Sequence, residues 1–199
     1  MIIYGDGRSG NCYKLQLLCA LLGLDYQWRA VDIMAGETRT EYFLKLNPNG
    51  KVPTLLLDDG RTLAESNAIL LYLGEGSALV PDDAYLRARM LQWLFFEQYS
   101  HEPYIAVARF IKLYQGMPEA RKAEYETRLP GGYRALTVME QQLAESDFLV
   151  SDQLTLADIA LYAYTHVAHE GGFSQEAYPA IRRWLQRVES IPSYRPMDN

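Results

Sequence analysis

Hydrophobic and polar positions change period along the chain, and the change divides it in two. Met1 to Tyr4 is a short β-prone run closed by Gly5-Asp6-Gly7. From Cys12 to Leu22 the apolar residues Leu15, Leu18, Cys19 and Leu22 fall at i, i+3, i+4 and i+7, the pattern of a helix with one buried face, and Gly23 stops it. On that spacing Lys14 and Gln16 lie off the buried face. Tyr26 to Ile33, rich in aromatic and β-branched residues, reads as a strand. Strand, helix, strand in that order implies a parallel pair with a right-handed crossover. Gly36 to Leu46 is a weaker, short helix carrying Tyr42, Phe43 and Leu46. Asn47-Pro48 and Asn49-Gly50 are turn dipeptides, after which Val52-Pro53 opens an apolar run from Thr54 to Leu57 that ends at Asp58-Asp59-Gly60. Arg61 to Ala64 returns as the second arm of a hairpin. Ser66 stands where the N-cap of the next helix, Asn67 to Leu73, is expected. The order βαβ, α, ββα is that of an α/β domain.

Gly74 to Asp83 has no clear period, contains Gly74, Gly76 and Pro81, and reads as a domain linker. Beyond it there is almost no strand signal. Ala84 to about Tyr114 is helical and strongly aromatic, and Pro103 is expected to kink or divide it. Glu119 to Glu145 is helical with a break expected at Pro130-Gly131-Gly132. Helices follow from Leu156 to about Ala168 and from Pro179 to Ser190, the last with Ile181, Trp184, Leu185 and Val188 on one face. Thr155-Leu156-Ala157-Asp158 is a capping box, with Leu154 and Ile159 spaced for a hydrophobic staple. The expected division is an α/β domain over residues 1–75 and an all-helical domain over 84–199.

Composition narrows the function classes. At 199 residues, 49% hydrophobic and 22% charged, the chain can build two small cores or one large one. A formal charge of -6 argues against a nucleic-acid or anionic-membrane surface, which needs clustered Lys and Arg. Asp6 and Arg8 lie within the first ten residues with no basic leader before an apolar run, so no signal peptide is expected; no apolar stretch is long enough to span a bilayer, and a cytoplasmic protein is the expectation. Cys12 and Cys19 are seven residues apart in one helix, roughly 10 Å along its axis, too far to pair. His166, His169 and Glu170 offer two imidazoles and an acid, but His101 is remote and no further ligand completes a zinc set, so no metal is expected.

Asn47-Pro48-Asn49-Gly50-Lys51-Val52-Pro53 followed by Glu65-Ser66-Asn67-Ala68-Ile69, with Leu154 to Asp158 about ninety residues later, resembles the cytosolic glutathione S-transferases. The resemblance runs from Tyr4 to Met197. It implies a thioredoxin-like N-terminal domain and an all-helical C-terminal domain that contributes the pocket for a hydrophobic electrophile. Glutathione would be the cosubstrate, with no cofactor, and the protein would be a homodimer. The reaction implied is attack of the glutathione thiolate on an electrophilic small molecule. A glutathione-dependent peroxidase, disulfide reductase or isomerase of the same fold is the nearest alternative, and a non-enzymatic binding module the more distant one.

Ser9 follows a strand and precedes a helix, where its hydroxyl and the first free amides can face a bound sulfur. In the serine-type, theta-like members that Ser9-x-x-Cys12 resembles, a serine here holds the thiolate; alternatively Ser9 only caps the helix. Asn11 can donate an amide hydrogen to the same sulfur. Cys12 is a rival nucleophile or a packing residue, and Tyr4 a third candidate hydroxyl. The resemblance further implies that Val52 pairs its backbone with glutathione, that the bond to Pro53 is cis, and that Glu65 takes the γ-glutamyl ammonium. Ser66 would take the neighbouring carboxylate and Lys51 the glycine carboxylate. A second basic contact to that carboxylate is unassigned between Thr38 and Arg39.

Overall fold

β1 (Ile2–Gly5) is the strand on which the first half of the chain assembles. The computed structural model describes residues 1–197, which form two compact units: Met1–Ser77 with residues 192–197, and Ala78–Ile191.

In the first unit β1 pairs in parallel with β2 (Gln27–Ala30) and antiparallel with β3 (Thr54–Leu56), and β3 pairs antiparallel with β4 (Thr62–Ala64), giving the order β2-β1-β3-β4. The parallel pair is joined through α1 (Gly10–Leu22), and α2 (Glu41–Leu46) and α3 (Ser66–Gly74) complete the unit. Gly5 lets α1 close on the sheet. A Cβ there would lie 2.5 Å from the Trp28 ring and 2.9 Å from Cys12 Sγ, closer than atoms tolerate. Tyr4, Val31 and Phe43 form a small core on the sheet, with Val52 packed against it.

Four expectations for this unit are corrected. β2 is four residues long, because the Asp32 carboxylate accepts the Met34 and Ala35 amides and turns the chain. α1 is buried on nearly every side, Lys14 and Gln16 included, so polarity did not mark its outer face. α3 begins at Ser66 itself, and the capping position is held by Glu65 at φ +66°. Residues 192–197, placed by sequence with the helices, belong to this unit: the Tyr13 hydroxyl donates to the Arg195 carbonyl at 2.6 Å and Arg195 donates to the Tyr26 hydroxyl at 3.0 Å.

The second unit is helical throughout its regular elements: α4 (Ala84–Phe96), α5 (Glu102–Arg109), α6 (Lys122–Glu145), α7 (Leu156–Thr165) and α8 (Pro179–Glu189). The long aromatic segment is divided, by π-turns at Glu97–His101 and Phe110–Tyr114, with Pro103 in the first turn of α5. α6, in contrast, runs unbroken through Pro130. A proline inside a helix costs about 3 kcal/mol, and burial of Ala135, Leu136, Met139 and Leu143 along α6 outweighs it. The two glycines serve packing: a Cβ would meet the Tyr104 ring at 2.1 Å from Gly131 and the Phe173 ring at 2.3 Å from Gly132.

α7 is buried along its whole length, and the Thr155–Asp158 capping box starts it. Asp158 does more than cap. One carboxylate oxygen accepts the Thr155 amide at 2.9 Å and its hydroxyl at 3.0 Å; the other accepts the Leu149 amide at 2.9 Å and the Trp184 indole N–H at 3.0 Å.

Candidate functional site

Strand register brings three sequence motifs to one end of the sheet. Thr54 lies opposite both Tyr4 and Ala64, so the residues just before β3, just after β1 and just after β4 share that end. These are Lys51-Val52-Pro53, the loop to Ser9, and Glu65-Ser66.

The loop into β3 is shaped by its own polar groups. The Asn47 side chain donates to the Lys51 carbonyl at 2.8 Å and accepts the Asn49 amide at 3.0 Å, while Thr54 donates to the same Lys51 carbonyl at 3.2 Å. Gly50 takes φ +61°, and a Cβ on it would sit 2.7 Å from the Arg39 guanidinium. The Val52–Pro53 bond is cis. The Val52 side chain packs against the core of Tyr4, Val31 and Phe43. Lys51 is exposed. Arg39, left unassigned by sequence, lies over this loop and donates to the Asn49 carbonyl at 3.4 Å, whereas Thr38 is buried.

Ser9 occupies the N-cap position of α1, and its carbonyl accepts the Cys12 and Tyr13 amides. Its side chain makes no capping bond. The side chain is hydrogen-bonded instead to Cys12, whose thiol is fully buried and pushed up to about 12, chiefly by desolvation. A thiol so buried and so weakly acidic is poorly placed to act as a nucleophile. Tyr4 is engaged elsewhere: its hydroxyl lies 2.6 Å from the Tyr42 hydroxyl, and that bond together with burial raises its pKa.

Asn11 and Ser66 meet directly, the Ser66 hydroxyl donating to Asn11 Oδ1 at 3.1 Å. Sequence reasoning missed the third member of this group. Lys14, fully buried, donates to Ser66 Oγ at 3.1 Å and to Asn67 Oδ1 at 3.2 Å. The available signal was its spacing three residues after Asn11, which puts both on one helical face. Glu65 is exposed beside Ser66. The histidine and acid set is structural: the Glu170 carboxylate pairs with the buried Arg109 at 2.5 Å, and His166 Nδ1 lies 2.8 Å from the Tyr162 carbonyl, with burial lowering its pKa to about 4.

In the second unit two cavities, of about 330 and 350 Å³, share Phe96 and Val138; the first is also lined by Trp93 and Arg89, the second by Tyr104 and Arg134.

A four-stranded mixed sheet carrying a cis-proline loop in one unit and a second unit built of helices define the thioredoxin-like plus all-helical class. Residues 8–75 match the family described as glutathione S-transferase, N-terminal domain, and residues 91–192 the one described as glutathione S-transferase, C-terminal domain. A maleylacetoacetate isomerase of Pseudomonas aeruginosa is 31% identical, over 98% of this chain and 94% of its own length. The disulfide-bond oxidoreductase YfcG of Escherichia coli is 30% identical, over 92% of this chain and 87% of its own. Among solved structures, a glutathione S-transferase from Pseudomonas fluorescens has a TM-score of 0.98 at 58% identity, covering 100% of this chain and 98% of that one. The chain belongs to the glutathione S-transferase family, enzymes that take glutathione as a substrate.

Proposed function

We propose that this protein is a serine-type, theta-like transferase in which Ser9 steadies the glutathione thiolate for attack on an apolar electrophile. The observation that carries the reading is the Ser9 side chain, which stands at the mouth of α1 and is not spent on capping. A free thiol with pKa near ~8.5 is only a few per cent ionised at neutral pH, and a donated hydrogen bond beside a helix N-terminus lowers that pKa. Cys12 is the serine's neighbour in the same turn: the Ser9 hydroxyl bonds the buried Cys12 sulfur, and on glutathione binding it turns its proton to the substrate sulfur instead.

The rest of glutathione follows the sheet end. Val52, ahead of the cis bond to Pro53, pairs its backbone with the extended tripeptide, and Ser66 takes the γ-glutamyl carboxylate at the start of α3. Glu65 takes the ammonium, Asn11 lends its amide to the sulfur, and Lys51 with Arg39 takes the glycine carboxylate. A homodimer is supported by aromatic side chains left exposed on the helical unit, Phe95 at 70% and Tyr99 at 85%. We place the protein in the cytoplasm, in detoxification chemistry. Similarity to a maleylacetoacetate isomerase favours one second reading, glutathione-dependent isomerisation of an unsaturated acid at the same site.

The test is retention on immobilised glutathione followed by turnover on a panel of aryl halides, enones, hydroperoxides and cis-unsaturated diacids. Ser9→Ala is expected to lower turnover at neutral pH and to recover part of it as pH rises and the thiol ionises unaided, with Cys12→Ala far milder. A stable glutathione adduct on Cys12 in the intact mass, together with an unaffected Ser9→Ala enzyme, would overturn the reading.

A further inference from the structure

A buried ammonium is costly unless its donors are satisfied, and Lys14 spends two of its three on the first turn of α3. The bond to Ser66 has a directional consequence. A hydroxyl whose oxygen already accepts from an ammonium turns its own proton away, and the Ser66 proton goes to Asn11 Oδ1. Lys14 and Asn11 come from one face of α1, so a single helix holds the Ser66 oxygen from one side and takes its proton on the other. The result is a hydroxyl fixed as a donor, polarised by a cation and set at a helix N-terminus.

We propose that Lys14 is a positioning residue for the γ-glutamyl carboxylate of glutathione, acting through Ser66; this rests on the reading above that the carboxylate binds there. On binding, the Ser66 proton leaves Asn11 Oδ1 for the carboxylate, and Lys14 holds the oxygen while the hydroxyl turns. Its charge, withdrawn from solvent, is weakly screened and adds attraction at the same end. A lysine that merely tied α1 to α3 would act differently: its loss would weaken every ligand of the site alike.

The experiment compares two tripeptides by titration calorimetry on the full chain: glutathione, and γ-aminobutyryl-cysteinyl-glycine, which lacks only the α-carboxylate. Wild type is expected to prefer glutathione. Lys14→Met, which keeps length and removes charge, is expected to cut that preference by about tenfold or more, the scale of a charge-assisted bond, with affinity for the truncated tripeptide unchanged. Lys14→Gln, which retains a donor, carries the same comparison if thermal melting shows the methionine variant unfolded. An undiminished preference in the folded variant overturns the proposal, and so does equal weakening of both tripeptides. A wild type that binds glutathione and does not distinguish it from the truncated tripeptide instead overturns the placement of the carboxylate at Ser66, whatever the variants do.

Discussion

Replacing Asp158 with alanine removes the acceptor for four donors at once, and the structure sets the scale of the loss. Losing a helix cap alone costs about 0.5 to 2 kcal/mol. Here the Leu149 amide and the Trp184 indole N–H would also be stranded in a fully buried place, each at about 1 to 3 kcal/mol. Two effects reduce the sum. Burial raises the pKa of the Asp158 carboxyl, so taking the charge away recovers desolvation, and the Thr155 hydroxyl can rotate toward the carbonyls of its own segment. The expected net loss is about 3 to 5 kcal/mol, the range for breaking a buried charged network. Urea unfolding is the assay, with the midpoint falling and the slope unchanged, alongside turnover per mole of folded protein. Trp184→Phe supplies the control: with the indole donor gone, Asp158→Ala should cost less than it does alone. A loss under about 1 kcal/mol would refute the accounting, and a loss of turnover at intact stability would refute the structural role.

Two further outcomes follow from the geometry. The Cys12 thiol, near 9 when unfolded and pushed up to about 12 in the fold, keeps its proton where the unfolded chain loses one; its contribution is whole below pH 9 and declines as pH rises toward 12. Between pH 9.5 and 10.5 wild type should therefore lose stability faster than Cys12→Ala, by about 1.4 kcal/mol per pH unit, and parallel profiles would contradict the buried thiol. Gly132→Ala sets two effects of opposite sign against each other: helix propensity alone would gain roughly 1 kcal/mol, whereas a Cβ 2.3 Å from the buried Phe173 ring overpacks the core at about 1 to 3 kcal/mol. A lower melting temperature is expected; a higher one would show that the contact relaxes freely.

The elements were legible where one period or one turn dipeptide decided them. The hairpin around Asp58-Asp59-Gly60, the amphipathic α8 and the capping box of α7 needed no long-range information. What failed were readings that took a local property as a proxy for a tertiary one. Polarity put Lys14 and Gln16 outside, yet α1 is wrapped by the sheet and by α3, and Lys14 tolerates burial because Ser66 and Asn67, fifty residues away in sequence, accept from it. Breaker residues put a gap at Pro130-Gly131-Gly132, yet the glycines there answer to Tyr104 and Phe173. The candidate site was legible as residue types and not as wiring. Ser9, Asn11 and Ser66 could each be singled out from motifs, but the bond from Ser66 to Asn11 depends on how α1 and α3 pack.

Glu65 joins the two lessons. A residue other than glycine at φ +66° stores on the order of 1 to 3 kcal/mol of strain, and such strain persists only where the surroundings fix it. Here it lets β4 end at Ala64 and α3 begin at Ser66 with one residue between them. An ordinary cap, with a serine in extended backbone as the sequence suggested, would take Ser66 out of the helix and spend its hydroxyl on an amide of its own first turn. Moved one place into α3, Ser66 loses that local partner and turns instead to Lys14 and Asn11 on α1. The strained residue before it, its side chain exposed, is thereby the device that converts a capping serine into one available to the site. A turn signal one position off in the sequence thus marks the point where local preference was overridden, and that point lies at the candidate glutathione site.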